Sequence, residues 1–494
     1  MELEFEKKTV SCLRRNVWQP QDREFTQELR LSDELPDIGS VLSARGQYVM
    51  RSKEWMGDSA SVSGGVMVWI LYAPADGEHP RCVETWIPVQ AKWTMSGAER
   101  EGTIRASWLL RNVDARCISA RKLMVRADLS LLAEVLEPWE TNTYGPSQPD
   151  SDIQLLRRSY PAMLPKEAGE KNFQLEENLE LPEGVQSVCA LSMDCVLSEQ
   201  KVLGDKVVFR GDGRLHMLYM DEQGQLQTLE QELPFSQYTE LDRDYGKDAT
   251  ACVMMAVSGM EPELVEGRLQ LKCGLVAQYV VWDQMLLELV EDAYSLARQV
   301  VPVMDEMNLP MELDRCRNTM RCEVTIPVEA NRVVDVWVNP AQPRIRRAGG
   351  LMELELWGNA GALYVDREGQ LHGCGGQWSK IWELPVSESA AAMAQVLEMS
   401  KPEVSVGDAV ELGMDVTAQV LTVQKDGMSI VKGLELGEKS VPDAGRPSVI
   451  LRRAGDVTLW ELAKSSGSTV EAIQIANGLE QEPLDDRILL IPVC

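Results

Sequence analysis

The chain has no long apolar run. Nothing in it approaches the ~18 uninterrupted apolar residues that a bilayer-crossing helix requires, so no span is expected. It opens Met1-Glu2-Leu3-Glu4-Phe5-Glu6, acid where a secretory leader carries base, with no apolar core behind it; no signal peptide is expected. Base is scarce as well. Lys and Arg number 49 against 77 Asp and Glu, a net charge of −28 over 494 residues. So acidic a balance repels phosphate backbones and anionic headgroups, which argues against nucleic acid or a membrane surface as partner of the whole chain.

Histidine is rarer still, at three residues. His79, His216 and His372 stand at neither metal-ligand nor triad spacing. No motif pairs catalytic carboxylates, and no Cys-His set or zinc signature is present. The expectation is a protein that is not an enzyme, with no catalytic residues, metal or cofactor. The 11 cysteines include no C-x-x-C pair, and Cys189, Cys252 and Cys273 fall at apolar positions. They read as reduced core thiols of a cytosolic protein. The pairs Gly64-Gly65, Gly349-Gly350 and Gly375-Gly376 fit no phosphate-binding loop and are expected in bulges or turns. Glu176-Glu177 and Asp485-Asp486 lack EF-hand spacing and read as solvated faces. Phenylalanine is short, 5 against 13 tryptophans. Trp69, Trp357 and Trp378 are expected in the core, while Trp93 and Trp139, near chain turns, fit either core or exposed anchor.

What is present is a repeat. Leu215 to Tyr219 runs into the turn Met220-Asp221-Glu222-Gln223-Gly224-Gln225 and returns to Pro234. Leu363-Tyr364-Val365-Asp366-Arg367-Glu368-Gly369-Gln370-Leu371 matches it and returns to Pro385; Leu71 to Gly77, returning to Pro88, is a looser copy. The tyrosine intervals are 219 − 72 = 147 and 364 − 219 = 145, and a period that regular means duplication. Gly77, Gly224 and Gly369 supply the positive φ that such turns need, and the three prolines are expected to end the return strands.

Each repeat also closes on an alternating run: Leu123, Val125, Ala127, Leu129 and Leu131; Leu269, Leu271, Cys273, Leu275 and Ala277; Val410, Leu412, Met414, Val416 and Ala418. Period two predicts strands with one buried face, the intervening Arg126, Asp128, Gln270, Lys272, Glu411 and Asp415 pointing to water. A β-sandwich or open barrel per repeat follows. Upstream strands are expected at Thr9 to Trp18 and Phe25 to Leu31, the latter matching a stretch around Phe173.

Glu137 to Asp152 is a linker by its Pro, Gly and Asn content. Leu286, Leu289, Val290, Ala293, Ala297 and Val300 follow helical spacing and predict a helix from Gln284 to Val300. The fold expected is mainly β, three tandem sandwich-like repeats and a small β-α-α-β module. Its units are 1–145 with the first repeat, a linker at 146–172, 173–301 ending in the helix, 302–437, a linker at 438–447 and the module at 448–494.

In that module a strand at Val449 to Arg452 precedes a helix capped by Thr458 and Glu461, a second helix runs from Thr469 to Asn477-Gly478, and a strand closes at Arg487 to Ile491. Gly455, Asp456, Thr458, Leu459, Trp460, Asn477, Gly478, Leu479, Ile488 and Pro492 make it resemble a LysM module. The resemblance implies N-acetylglucosamine-glycan binding by two loops, Gly455 to Leu459 and Gly478 to Asp486, and a buried framework place for Trp460. Val457 lengthens the first loop, and Asp485-Asp486 adds acid to the second. The interaction residues expected are Gly455, Asp456, Val457, Thr458, Leu459, Asn477, Gly478, Leu479, Asp485 and Asp486, with Leu459 and Leu479 at the centre of a protein contact.

The hairpin stretches "GRLHMLYMDEQGQLQTLEQELPF", "ALYVDREGQLHGCGGQWSKIWELPV" and "GGVMVWILYAPADGEHPRCVETWIPV" resemble the SPOCS domain of spore-coat proteins. Three of them before a LysM are similar to the SipL-like group of coat morphogenetic proteins. That resemblance implies an adaptor in the mother-cell cytoplasm, at the forespore surface, that tethers the coat's basement-layer ATPase and touches other coat proteins. The other class left open is a protein that binds peptidoglycan or its precursor.

Overall fold

A computed structural model of the chain describes residues 2–17, 20–56, 58–77, 79–94, 102–145, 152–265, 267–384, 390–439, 447–453, 455, 457–479 and 487–493. Among the described residues strand dominates, and two helices lie near the C-terminus. Among the described residues no helix is long and apolar enough to cross a membrane.

The three alternating runs are strands, each central in its sheet. Lys122–Gly145 lies between Gln21–Arg30 and Thr103–Ser119, Arg268–Ser295 between Ile153–Glu180 and Thr250–Val265, and Val410–Gln424 between Glu312–Ile326 and Ala390–Met399. Their alternate apolar residues are almost wholly buried, each large side chain contributing ~1.5–3 kcal/mol against exposure. The intervening Gln270, Lys272, Glu411 and Asp415 are exposed as expected. Asp128 is not: it is buried, with Arg111 and Arg126 within 3.9 and 3.7 Å.

A second sheet in each repeat carries the hairpin. It comprises Ile38–Met56, Ser59–Pro74 and Arg81–Thr94 in the first repeat, and Arg332–Pro340, Arg344–Ala348, Leu351–Val365 and Leu371–Leu384 in the third. In the second, the run Val185–Asp221 doubles back at Gly204 (φ 61°), which brings the Val196 carbonyl against Gly211, and it then pairs with Leu226–Tyr245. One apolar cluster joins the two sheets, as Val66, Val68 and Ile70 do with Leu123, Val125 and Leu129.

The turn chemistry explains why two hairpins match so closely. Asp221 Oδ1 accepts from the backbone N–H of Gln223 and Gln225 at 3.0 and 2.8 Å, and Asp366 Oδ1 from those of Glu368 and Gln370 at 2.9 and 2.8 Å. Gly224 and Gly369 follow at φ 73° and 82°. Two return strands run past their prolines. Pro88 pairs with Gly65 and Pro234 with Asp212, both on edge strands where the missing N–H costs no ladder bond. Pro385 lies outside the described residues.

The region read as linkers and helix is mostly strand where it is described, broken by a turn at Asp152 and a bend at Leu296 and Ala297. Lys122–Gly145 continues past the first repeat and pairs with Glu6–Val17, so residues 137–145 are strand; Pro138 is tolerated because pairing on its other edge has stopped at Leu136. The expected linker at 146–172 is occupied from Ile153 by a strand that pairs with the end of Arg268–Ser295. There is accordingly no helix over Gln284 to Val300. Leu287 and Leu289 are buried while Leu286 is 61% exposed, which is period two; a bulge between Val290 and Asp292 then moves the buried set to Val290 and Ala293. That change of phase imitates helical spacing. In the third repeat Met428–Lys439 pairs with Arg298–Met307 and with Glu2–Glu4. Residues 440–446 of the last expected linker lie outside the described set.

Three ribbons, one from each repeat, thus converge. Val10 and Cys12, Ala162, Leu164, Leu287 and Leu289, and Met307 and Ile430 share one cluster. Beside it Arg15 Nη2 and Arg105 Nη1 both reach Glu134, 2.5 Å each, with the Arg15 guanidinium over Trp282 of the second repeat and its Nη2 3.2 Å from the Met393 sulfur of the third. Burial pushes the Glu134 carboxyl up, but the two guanidiniums outweigh it and hold it below the ordinary range.

The tryptophans divide differently from expectation. Trp69, Trp93 and Trp378 are buried, while Trp357 and Trp139 are half-buried beneath arginines, Arg344 and Arg14 lying 3.6 and 4.2 Å from the ring centres. Gly64-Gly65 and Gly375-Gly376 lie inside strands rather than turns. A Cβ on Gly65 would strike the Trp86 ring, so glycine there makes room for an aromatic. Gly349 and Gly350, at φ 61° and 87°, do form a turn.

Candidate functional site

The C-terminal module is built from short local signals. Val449–Arg453 pairs with Ile488–Pro492. Thr458 caps the helix Leu459–Ser466 reciprocally with Glu461, and Gly467 ends it at φ 65°. Thr469 caps Val470–Asn477, which Gly478 ends at φ 63°. Leu459, Leu462, Ala463, Ile473, Leu489 and Ile491 form its core.

Most of the expected interaction residues prove to be framework. Leu459 is 1% exposed and belongs to the module's own core, so it is not the centre of a protein contact. Thr458 is spent on the cap. Asn477 Nδ2 donates to the carbonyls of Ile473 and Leu490, and its Oδ1 accepts from Leu490 N–H at 2.8 Å, pinning helix to strand. Leu479 is half-buried against the core, and Gly478 is the helix stop. Gly455, at φ 54°, and Val457, 43% exposed, are open to solvent, as are the cap residue Thr458 and the helix stop Gly478. Asp456, Asp485 and Asp486 lie outside the described residues.

The contacts that the sequence did not reveal tie the module to the second repeat. Trp460 Nε1 donates to Asp292 Oδ2 at 2.8 Å, and Lys464 Nζ reaches the same carboxylate at 2.7 Å. Tyr294 packs edge-on against Trp460, ring centres 4.8 Å apart, and its hydroxyl donates to the Ser468 carbonyl at 2.8 Å. Burial raises the Asp292 carboxyl, but the bonds from Lys464, Trp460 and the Ala293 N–H outweigh it and leave it below the ordinary range. Trp460 is therefore half-buried at a junction rather than inside the module. Asp292 and Tyr294 stand on the segment read as helix, so no sequence signal pointed to them.

The histidines are dispersed. His79 is exposed with its ring against Gly224, His372 Nε2 lies 2.8 Å from Asp366 Oδ2 in the third hairpin, and His216 Nε2 lies 3.0 Å from Asp335 Oδ1 of another repeat. Among the described residues no group of three His, Cys, Asp or Glu is placed to hold a metal ion. Burial lifts the thiols of Cys12 and Cys322 to about 11 and that of Cys273 to about 12, which keeps them protonated and unreactive.

Residues 184–265, the hairpin sheet of the second repeat and the strand after it, match the family model described as SipL, SPOCS domain. The chain is a SPOCS-domain protein. In that domain it is SipL-like, which suggests a sporulation-related role. No curated protein and no solved structure matches it.

Proposed function

We propose that this protein is a spore-coat morphogenetic adaptor, not an enzyme, that tethers the coat's basement-layer ATPase to the forespore surface from the mother-cell cytoplasm. The observation that carries the reading is the SPOCS match at residues 184–265, in a chain whose three repeats share one hairpin design. A body of converging ribbons suits a scaffold, because each repeat presents its own outer face while the ribbons hold the three together. The C-terminal module supports the reading as a docked contact element. Its resemblance to LysM keeps glycan binding as the second outcome to be measured.

The test uses the whole chain in sporulating cells. A fluorescent fusion is expected to ring the forespore, and pull-down is expected to recover the basement-layer ATPase. Removing residues 446–494, or introducing Asp485→Lys with Asp486→Lys, is expected to weaken recovery in a salt-dependent way. Retention on peptidoglycan with no ATPase recovered would favour the glycan reading.

A further inference from the structure

The first and second repeats meet at a pair of cysteines. Cys82 stands on Arg81–Thr94, the return strand of the first hairpin, opposite Leu71. Cys189 stands on Val185–Asp221, where the hairpin sheet of the second repeat begins. Cys82 Sγ donates to the Cys189 carbonyl at 2.9 Å across 107 residues of chain, and the two thiols hydrogen-bond to each other as well. Cys189 is 1% exposed and Cys82 is half-buried, so the pair is open to a small oxidant on the Cys82 side.

Packing alone does not call for two sulfurs here. The hairpin period relates Cys189 to Leu42, since 189 − 42 = 147. Cys82 faces the leucine before the hairpin tyrosine, Leu71, just as Gly373 faces Leu363 in the third repeat. Gly373 and Leu42 meet in their turn: a Cβ on Gly373 would strike the Leu42 carbonyl. The junction of the third repeat with the first is thus built on the same contact, with glycine and leucine in place of the two cysteines.

The chemistry of the pair favours a bond between the sulfurs. The Cys82 thiol and the Ser187 hydroxyl donate to Cys189 and hold its thiol below the ordinary range, although burial pushes it up; Cys82, as the donor, sits above that range. A thiolate formed on Cys189 therefore has the other sulfur beside it, which is the arrangement that disulfide formation requires. The neighbouring thiols differ. Cys195 and Cys273 pack in the same apolar cluster, but burial raises both, and Cys117 is exposed, with its Sγ 3.1 Å from the Ser119 carbonyl.

We propose that Cys82 and Cys189 are a paired oxidation site, which a peroxide closes to a disulfide that locks the first repeat to the second. Two S–H bonds and the peroxide O–O bond break, while one S–S bond and two O–H bonds form; the sulfurs give up two electrons and both oxygens leave as water. A thiol reductant reverses the change.

The test treats the intact, fully reduced protein with hydrogen peroxide, blocks the remaining thiols with iodoacetamide in denaturant, and maps the proteolytic peptides by mass. A peptide linking Cys82 to Cys189 is expected from the monomer, lighter by two hydrogens than its reduced halves and split by dithiothreitol. The oxidised protein is expected to melt above the reduced one, since the bond closes a long loop in the unfolded chain. Cys82→Ser and Cys189→Ala are each expected to lose both the linked peptide and the rise in melting temperature, and Cys117→Ser to keep both. Mapping of the wild type stands whether or not a variant folds. Cys82 and Cys189 still alkylated after peroxide treatment, a link between Cys195 and Cys273 in their place, a Cys82–Cys189 link that forms only once urea has unfolded the chain, or a melting temperature that oxidation leaves unchanged or lowers would each overturn the proposal.

Discussion

Trp460 Nε1 and Asp292 Oδ2 are bonded at 2.8 Å across 168 residues of chain, so the C-terminal module is seated on the closing strand of the second repeat. The carboxylate that takes the indole also takes Lys464, and Tyr294 two residues on completes the seat. The module's position therefore depends on a strand far away in sequence.

Asp292→Ala is expected to loosen this seat by about 1–3 kcal/mol, because it strands one half-buried donor and frees a lysine that water can solvate. Hydrogen exchange should speed up in Val470–Asn477 and leave the amides of Leu123 to Leu131 unchanged. Equal acceleration in both would mean that the residue supports the whole fold instead.

At the ribbon junction, Glu134→Gln leaves Arg15 and Arg105 without their common carboxylate. Breaking a buried pair in this way costs about 3–5 kcal/mol. Urea unfolding should show a lower midpoint, and the deficit should shrink in acid.

The pH dependence has one sign at the buried carboxylates. Glu134 and Asp335 sit below their usual values of 4.5 and 3.8, Asp335 because Arg45 and His216 outweigh its burial. Their contributions are full above those usual values and are lost as pH falls through the lower folded ones. The urea midpoint of the wild type should therefore fall as pH drops below about 4.5. A midpoint that rises there would show the sign to be wrong.

Two glycines should fail for different reasons. A Cβ on Gly361 would lie 2.2 Å from Trp337 Cζ2, and the displaced ring should cost about 1–3 kcal/mol. Gly369 has open space around it but φ 82°, so alanine there should cost about 1 kcal/mol through conformation alone. Thermal melts of Gly361→Ala and Gly369→Ala compare the two, and a larger loss at Gly369 would reverse the ranking.

Much of the fold could be read along the chain. The turns at Asp221 and Asp366, the alternating strands from Leu123, Leu269 and Val410, and the caps at Thr458 and Thr469 each rest on contacts within a few residues. The candidate site was legible as a module and misread in its roles. Thr458, Leu459 and Asn477 carry a sugar-binding resemblance, but in this structure they close a cap, fill a core and brace a strand. The bulge beside Val290 hid the strand that seats the module, since a single shift of register turns period two into spacing that resembles a helix.

The sequence by itself determined the repeat, its hairpins and its buried faces, because alternation and turn hydrogen bonding are settled by neighbours in the chain. Tertiary structure alone decided which faces met. Arg15 finds Glu134 across 119 residues, and His216 finds Asp335 of another repeat. Such pairings depend on closing loops of a hundred residues or more around a shared core, and no local pattern encodes the distance at which two distant side chains come to rest.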